Sequence, residues 1–353
     1  MEEENNSNKH TRRTRYKGKN PKNFHEKYKE LQPERYSEDV EKIKEKGRTP
    51  AGMHISICVN EIMEFLNIQS GQVGMDATLG YGGHSLEILK RLHPGGLLYA
   101  TDVDPIELPR TVTRLQALGY GEDKFIAQQM NFAGIDRIVE DAGPLDFVMA
   151  DLGLSSMQID NPERGFSLKT EGPLDLRMNP QNGKSAALLL KKISKEKLEE
   201  LLTLNSDEPH AKLIATAISV ALAGGKEIAT TTQLTSLIED CLLSARPNLT
   251  KDDLKKSCQR CFQALRIEVN KEFEVLDAFL DKLPGALKPG GRVAILSFHS
   301  GEDRRVKKSF QEFFRLGLYE EITQEPIRAT PEESFNNRRA RSAKLRWAIR
   351  AAD

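Results

Sequence analysis

Four cysteines in 353 residues are too few for a disulfide scaffold. No long apolar run is present either. The longest weakly polar stretch, residues 213–223, is interrupted by Thr216 and Ser219 and cannot cross ~30 Å of hydrocarbon. The first ten residues, MEEENNSNKH, are acidic and polar, with no apolar stretch behind them, so they do not read as a secretion signal. Proline, glycine and charged residues occur at ordinary levels, which excludes collagen-like and low-complexity classes. The chain has 38% hydrophobic residues, enough for a real core, and a length suited to about two domains. A soluble, reduced, cytoplasmic protein is the class expected, with no membrane segment.

Net charge is zero, with 52 basic and 52 acidic residues, yet the distribution is polarised. Residues 9–29 hold nine Lys/Arg against the single acid Glu26. Residues 338–350 hold Arg338, Arg339, Arg341, Lys344, Arg346 and Arg350 and no acid. Two basic ends on a neutral chain suggest a polyanionic partner, most often nucleic acid. The bland alternative is that such tails only aid solubility.

Residues 1–29 lack apolar periodicity and read as a disordered arm. A short helix is expected at 37–47, with Ser37 as its cap and Gly47 as its stop. A helix from Ser56 carries Val59, Ile62, Met63 and Leu66 on one face. Strands are then expected at 74–80, 97–104, 125–131 and 147–153, with helices at 85–92, 106–118 and 133–141 between them. That alternation indicates a parallel sheet covered on both faces. Segment 160–182 reads as a long ordered loop. Helices follow at 185–204, 209–222, 230–245 and 250–283. The α/β rhythm resumes with a strand at 289–300 and a last strand at 342–350. In that last strand Ala343, Leu345, Trp347 and Ile349 would face the core, and Lys344, Arg346 and Arg350 the other side. The fold expected is α/β, a Rossmann-like sheet interrupted by an all-helical insertion. Its parts are an arm at 1–52, a first sheet part at 53–160, a loop and insertion at 161–260, and a second sheet part at 261–353.

The strongest local signal is Asp76-Ala-Thr-Leu-Gly80-Tyr-Gly82-Gly83-His84, which ends a strand and opens a helix. Glycines there let backbone approach a ligand, and a helix N-terminus offers free N–H groups. Asp102 ends the second strand twenty-two residues after Gly80, where an acid can accept from ribose hydroxyls. Turn and acid together point to a nucleoside-bearing cofactor. A dinucleotide fingerprint would need a third glycine, and Ser85 stands in that place. The polar pair Asp76 and Thr78 suits the methionine moiety of S-adenosylmethionine better than a pyrophosphate. The third and fourth strands end in Asn131-Phe132 and Asp151-Leu152-Gly153, and ligands gather at such carboxyl ends. Phe132 can flank an adenine or pack in the core.

Seven segments occur here in a characteristic order: DATLGYGGHS, TDVDP, MNF, DLGLSSMQIDNPERGFSLKTEGPLDLRMNP, CFQALRIEVN, SFHSGEDRRVK and ARSAKLRWA. In these the sequence resembles the MraW/RsmH family of S-adenosylmethionine-dependent methyltransferases over about residues 53–350. The resemblance implies a methyltransferase Rossmann-like sheet with a helical insertion. It implies methylation of the exocyclic N4 of one cytidine, position 1402, of 16S ribosomal RNA in the small ribosomal subunit, with neither membrane nor DNA as partner. By the same resemblance Gly82, Gly83 and His84 form the turn at the cofactor, Asp102 binds the ribose and Phe132 lies by the adenine. Asp151 and Gln158 complete the site. The chain departs from the family pattern at Ala77-Thr78-Leu79, at Gly301 and at Lys256 to Cys261, and it carries the extra basic arm. These departures resemble a second, paralogous branch.

Methyl transfer from a sulfonium needs no protein nucleophile, only an attacking nitrogen held in line. A hydrogen-bond acceptor at the cytosine amino group would favour its attacking form. Asp151, Asn131 and His299 are the candidates, and the residues alone do not choose among them. Arg164, Arg177, Arg304 and Arg305 lie in polar segments and are candidates for RNA phosphates. Pairing with Asp160, Glu163, Asp175, Glu302 or Asp303 is their alternative use. Cys258 and Cys261, at helical spacing without further ligands nearby, read as packing rather than zinc, and no metal is expected. Two other functions stay open: a nucleotide-dependent oxidoreductase on the same sheet, and a non-catalytic RNA-binding or ribosome-assembly protein.

Overall fold

The computed structural model describes residues 56–352. The expected arm at 1–29 and helix at 37–47 lie outside the described residues. Among the described residues no helix is long and apolar enough to cross a membrane.

Seven strands form one sheet: β1 (Val73–Asp76), β2 (Leu97–Asp102), β3 (Phe125–Gln129), β4 (Leu145–Asp151), β5 (Leu287–Ser297), β6 (Tyr319–Ile322) and β7 (Lys344–Arg350). Their order is β3-β2-β1-β4-β5-β7-β6. The pairs among β1 to β5 are parallel, and β7 runs antiparallel to both β5 and β6. The chain moves outward from β1 through β2 to β3, then returns to β4 on the other side of β1. The order therefore reverses between β1 and β4, and the crevice of an open α/β sheet lies at the carboxyl ends flanking such a reversal.

Alternation along the strands divides the sheet into two faces. Leu98, Ala100, Phe147, Met149, Ala294 and Leu296 enter one core. It is completed by α1 (Val59–Leu66), α2 (Gly83–Leu92) and α3 (Glu107–Ala117). Met75, Tyr99, Val148, Ala150, Val293 and Ile295 enter the other core. There α4 (Ile135–Ala142) packs, and later in the chain α11 (Glu272–Ala286) and α12 (Ser300–Arg315) join it. Apolar character on both faces is what a central parallel strand requires.

Between β4 and β5 the chain leaves the sheet. A short α5 (Ser156–Asp160) is capped by Ser155 and Gln158 in a reciprocal capping box. Then α6 (Ala186–Lys192), α7 (Lys195–Ser206), α8 (Ala211–Ala223), α9 (Thr231–Ala245) and α10 (Lys251–Asn270) enclose a third core of their own. Cys258 and Cys261 pack inside it, and burial pushes the Cys258 thiol up to about 12.

Four expectations need correction. The helix expected at 185–204 is two, because Ser194 caps a new start at Lys195. The helix expected at 250–283 is also two, because Lys271 adopts a left-handed backbone at φ 53° between α10 and α11. The insertion boundary drawn at residue 260 falls inside α10, which runs unbroken to Asn270. The charged side of the last strand is turned into the fold at Lys344 and Arg346, because α12 brings a carboxylate against it. Arg346 is 3% exposed and meets Asp303 of α12 at 2.6 Å, and Lys344 meets the same carboxylate at 3.1 Å. Arg350 donates to the carbonyls of Pro284 and Leu318. Lys344, Arg346 and Arg350 thus serve the fold, as does Arg339, which donates to Ser156. Strand β6 was not expected at all; YEEI is short and half charged, and only pairing with β7 makes it a strand.

Candidate functional site

The carboxyl ends of β1, β2 and β4 bring together three aspartates. Asp76 ends β1 and is 1% exposed. It accepts from the Thr78 N–H at 3.0 Å and the Ser85 hydroxyl at 2.5 Å. Burial pushes its carboxyl above the usual range, against those two hydrogen bonds and the nearby His84. Asp102 ends β2 and accepts two backbone N–H groups, from Gly80 at 2.7 Å and Asp104 at 2.9 Å. Burial pushes it up to about 6, and the charges of Asp104 and Asp76 add to the rise. Asp151 ends β4. Its N–H donates to the Thr78 hydroxyl at 2.6 Å, which ties β4 to the turn after β1 across the crevice. Burial pushes its carboxyl up to about 6 as well, with His84 opposing and Asp76 and Glu302 reinforcing. Its side chain nevertheless keeps 31% of its surface open. Among the described residues no Lys or Arg forms an ion pair with any of the three. The crevice is therefore electronegative and suits a cationic ligand.

The glycine turn is built as expected, but for a different reason at two of its positions. Gly82 sits at φ 69° as the residue before α2, and a Cβ there would meet Thr111 at 2.8 Å. A Cβ on Gly83 would meet the Ser56 hydroxyl at 2.0 Å. Both glycines let α2 close against neighbouring protein. Gly80, at φ 48°, is the least crowded of the three, a Cβ there meeting only the Thr78 carbonyl at 3.8 Å.

The remaining predicted cofactor residues divide. Phe132 is half-buried after β3, edge-on to Phe279 at 5.0 Å. His84 is 5% exposed, held between the Ile57 carbonyl at 3.0 Å and Asp151 at 3.6 Å. Gln158, expected at the cofactor, is held within the fold at both ends of its amide. Its carbonyl accepts from the Ser155 N–H, and its amide donates to Asp104 at 2.8 Å. Asp104 was not singled out from the sequence. It is wholly buried and also meets Arg164 at 2.7 Å, locking the loop after β4 onto the loop after β2. The available signal was a second acid two residues after Asp102, just before Pro105.

All four arginines expected at phosphates meet a carboxylate within the fold. Arg164 is 5% exposed, and besides Asp104 it donates to the carbonyls of Arg177 and Met178. Arg177 clamps Asp175 through Nε at 2.6 Å and Nη2 at 2.7 Å. Arg305 pairs with Asp277 and lies 4.2 Å over the Phe273 ring. Arg304 pairs with Asp207 at 3.4 Å, exposed on both sides. Only Arg177 takes a carboxylate near it in sequence; the other three meet acids that the fold brings within reach, where a charge-assisted pair satisfies a guanidinium.

The three acceptor candidates also separate. Asn131 is exposed, and its carbonyl caps the following turn by accepting from Ala133 N–H at 2.9 Å. His299 precedes α12, where its ring faces the Glu302 carboxylate at 3.1 Å. Glu302 is buried, which pushes its carboxyl up; His299, Arg266 and the Phe298 N–H outweigh this and hold it low. Asp151 alone combines a partly open carboxylate with a place between β1 and β5.

The profile of the MraW methylase family matches residues 51–351. The chain is 62% identical over 348 residues to "Ribosomal RNA small subunit methyltransferase H 2" of Alkaliphilus metalliredigens, covering 99% of this chain and all of the relative. It is 59% identical over 342 residues to "Ribosomal RNA small subunit methyltransferase H 1" of Lachnoclostridium phytofermentans, covering 97% and 93%. A further relative, "Ribosomal RNA small subunit methyltransferase H 2" of Acholeplasma laidlawii, is 53% identical over 343 residues, covering 97% and 99%.

Proposed function

The chain belongs to the MraW methylase family, and from that premise we propose that it transfers a methyl group from S-adenosylmethionine to the exocyclic N4 of a cytidine in 16S ribosomal RNA. The observation that carries the cofactor is the trio Asp76, Asp102 and Asp151, which have no Lys or Arg partner among the described residues. A sulfonium and an α-ammonium supply the missing positive charge. The pyrophosphate of a dinucleotide would meet like charge there, which weighs against the oxidoreductase alternative.

S-adenosylmethionine, when bound, supplies an already activated methyl group. Asp102 would hold the ribose hydroxyls, with the Gly80 backbone next to it. Phe132 would flank the adenine. Asp151 would accept a hydrogen bond from the target amine and then take the proton released as nitrogen forms its bond to carbon. His84, wedged between Ile57 and Asp151, would hold that carboxylate in place. The base must be splayed from its stack to reach the crevice.

Mass spectrometry of nucleosides from 16S RNA, incubated with the protein and S-adenosylmethionine, tests the reading. N4-methylcytidine at one position is expected, and no modified nucleoside would overturn it. Replacing Asp151 with Asn should lower kcat roughly 100-fold or more, the usual scale for removal of a general base. Its KM for the cofactor should change far less. An unchanged kcat would remove Asp151 from the chemistry.

A further inference from the structure

The segment between β6 and β7 forms a ledge beside the crevice. Its placement follows from register: Ile327 pairs with Leu345, and Lys344 lies opposite Ser297 at the carboxyl end of β5. Ala340 and Ala343 are buried in the first core. The Glu333 carboxylate accepts the Cys58 N–H at 2.9 Å, and Arg339 donates to Ser156 of α5, the helix that follows β4. The ledge is thus anchored next to the residues that follow Asp151.

Its outward residues have a different character. Phe335, in α13 (Pro331–Asn336), is 81% exposed, the most exposed large apolar side chain among the described residues. Arg328, Arg338 and Arg341 are exposed around it in sequence. Among the described residues none of the three meets a carboxylate, and Arg341 makes only a bond to the Ser334 carbonyl at 3.2 Å. From Ser334 to Ala343 the chain has three arginines and no acid. Glu325 and Glu332 are the exposed acids of the neighbouring chain, and Glu333 is already committed to Cys58. An exposed aromatic amid unpaired guanidiniums is the composition that takes single-stranded nucleic acid: bases stack on the ring and phosphates meet the cations.

We propose that this ledge grips the single-stranded RNA flanking the target nucleotide, with Phe335 stacking on one base and Arg328, Arg338 and Arg341 meeting phosphates. The inference rests on the RNA substrate read above and adds the surface that holds it. It also moves the phosphate contacts away from Arg164 and Arg177, whose guanidiniums are spent inside the fold.

The test uses the full chain, a 16S RNA fragment containing the target, and binding titrations at several salt concentrations. Phe335→Ala should weaken RNA binding by roughly 5- to 150-fold with an unchanged salt slope. Arg328→Ala, Arg338→Ala and Arg341→Ala combined should make the slope of log affinity against log salt shallower by about 0.7 for each phosphate no longer neutralised. Calorimetric affinity for S-adenosylmethionine should stay at the parent value in both, which also reports that they fold. Variants equal to a parent that binds and methylates RNA would overturn the ledge alone. A parent that binds no RNA would overturn the ledge and the substrate reading together. Loss of self-association with RNA affinity intact would give the surface to a second copy of the chain, and would overturn the proposal.

Discussion

Buried acids in this protein fall into two populations. Around the loop after β4, the insertion and the last strands, four meet a Lys or Arg within the fold, while Glu302 faces His299. Asp104 has Arg164, Glu208 has Arg260, Glu272 has Arg266, and Asp303 has Arg346 and Lys344. At the carboxyl ends of β1, β2 and β4, Asp76, Asp102 and Asp151 have backbone N–H groups, hydroxyls and one imidazole, but among the described residues no Lys or Arg. The first population is neutralised by folding. The second carries a charge that folding leaves unmet, and its carboxyls are correspondingly displaced upward. Paired acids hold the loops; unpaired acids wait for a ligand.

The sharpest way to break this division is to strand a paired acid. Arg164→Ala removes the guanidinium from wholly buried Asp104 and should cost about 3–5 kcal/mol of stability. Thermal unfolding would show it as a large fall in Tm. A fall no larger than that of a surface Arg→Ala substitution would erase the distinction between the two populations. Asp102→Asn probes the other side. It disturbs one of two backbone hydrogen bonds, so its stability cost should stay within about 1–2 kcal/mol, while S-adenosylmethionine binding weakens by roughly 1–3 kcal/mol. Equal losses in both measurements would make Asp102 a structural acid like Asp104.

A smaller effect follows from pH. The raised values of Asp102 and Asp151 mean that the fold prefers their protonated forms. Their favourable contribution to stability is complete below the unfolded carboxyl value and is lost as pH rises through about 6. Cofactor binding runs the opposite way, because a cationic ligand favours the ionised forms. Affinity measured by calorimetry should be flat above pH 7. Below about 6 it should fall by up to tenfold per pH unit for each carboxyl that must release its proton. An affinity independent of pH from 5 to 8 would disconnect these carboxylates from the cofactor.

Much of the sheet was legible in the chain because its information is local. Leu97 to Ala100 and Phe147 to Ala150 are continuous apolar runs that lead to a strand-ending acid, and such runs make central parallel strands regardless of their partners. The glycine turn after Asp76 was legible for the same reason. Strand β6 was not, since four residues of which two are glutamates gain strand character only from the neighbour that pairs with them. The break at Lys271 was equally hidden, because the apolar positions continue across it and only the packing of α11 on the sheet turns the chain there.

By itself, then, the sequence determined the alternation of elements, the acids that close the strands and the glycines that open α2, each set by residues within a few positions of one another. Only the tertiary structure decided which charges remain available. Arg164 reaches Asp104 across sixty residues, and Arg346 reaches Asp303 across forty-three. Among the described residues no Lys or Arg pairs with Asp151, and no acid pairs with Arg338. A Coulomb partner is chosen by distance in space and by the loss of water around it, and neither quantity is written in the spacing of residues along the chain.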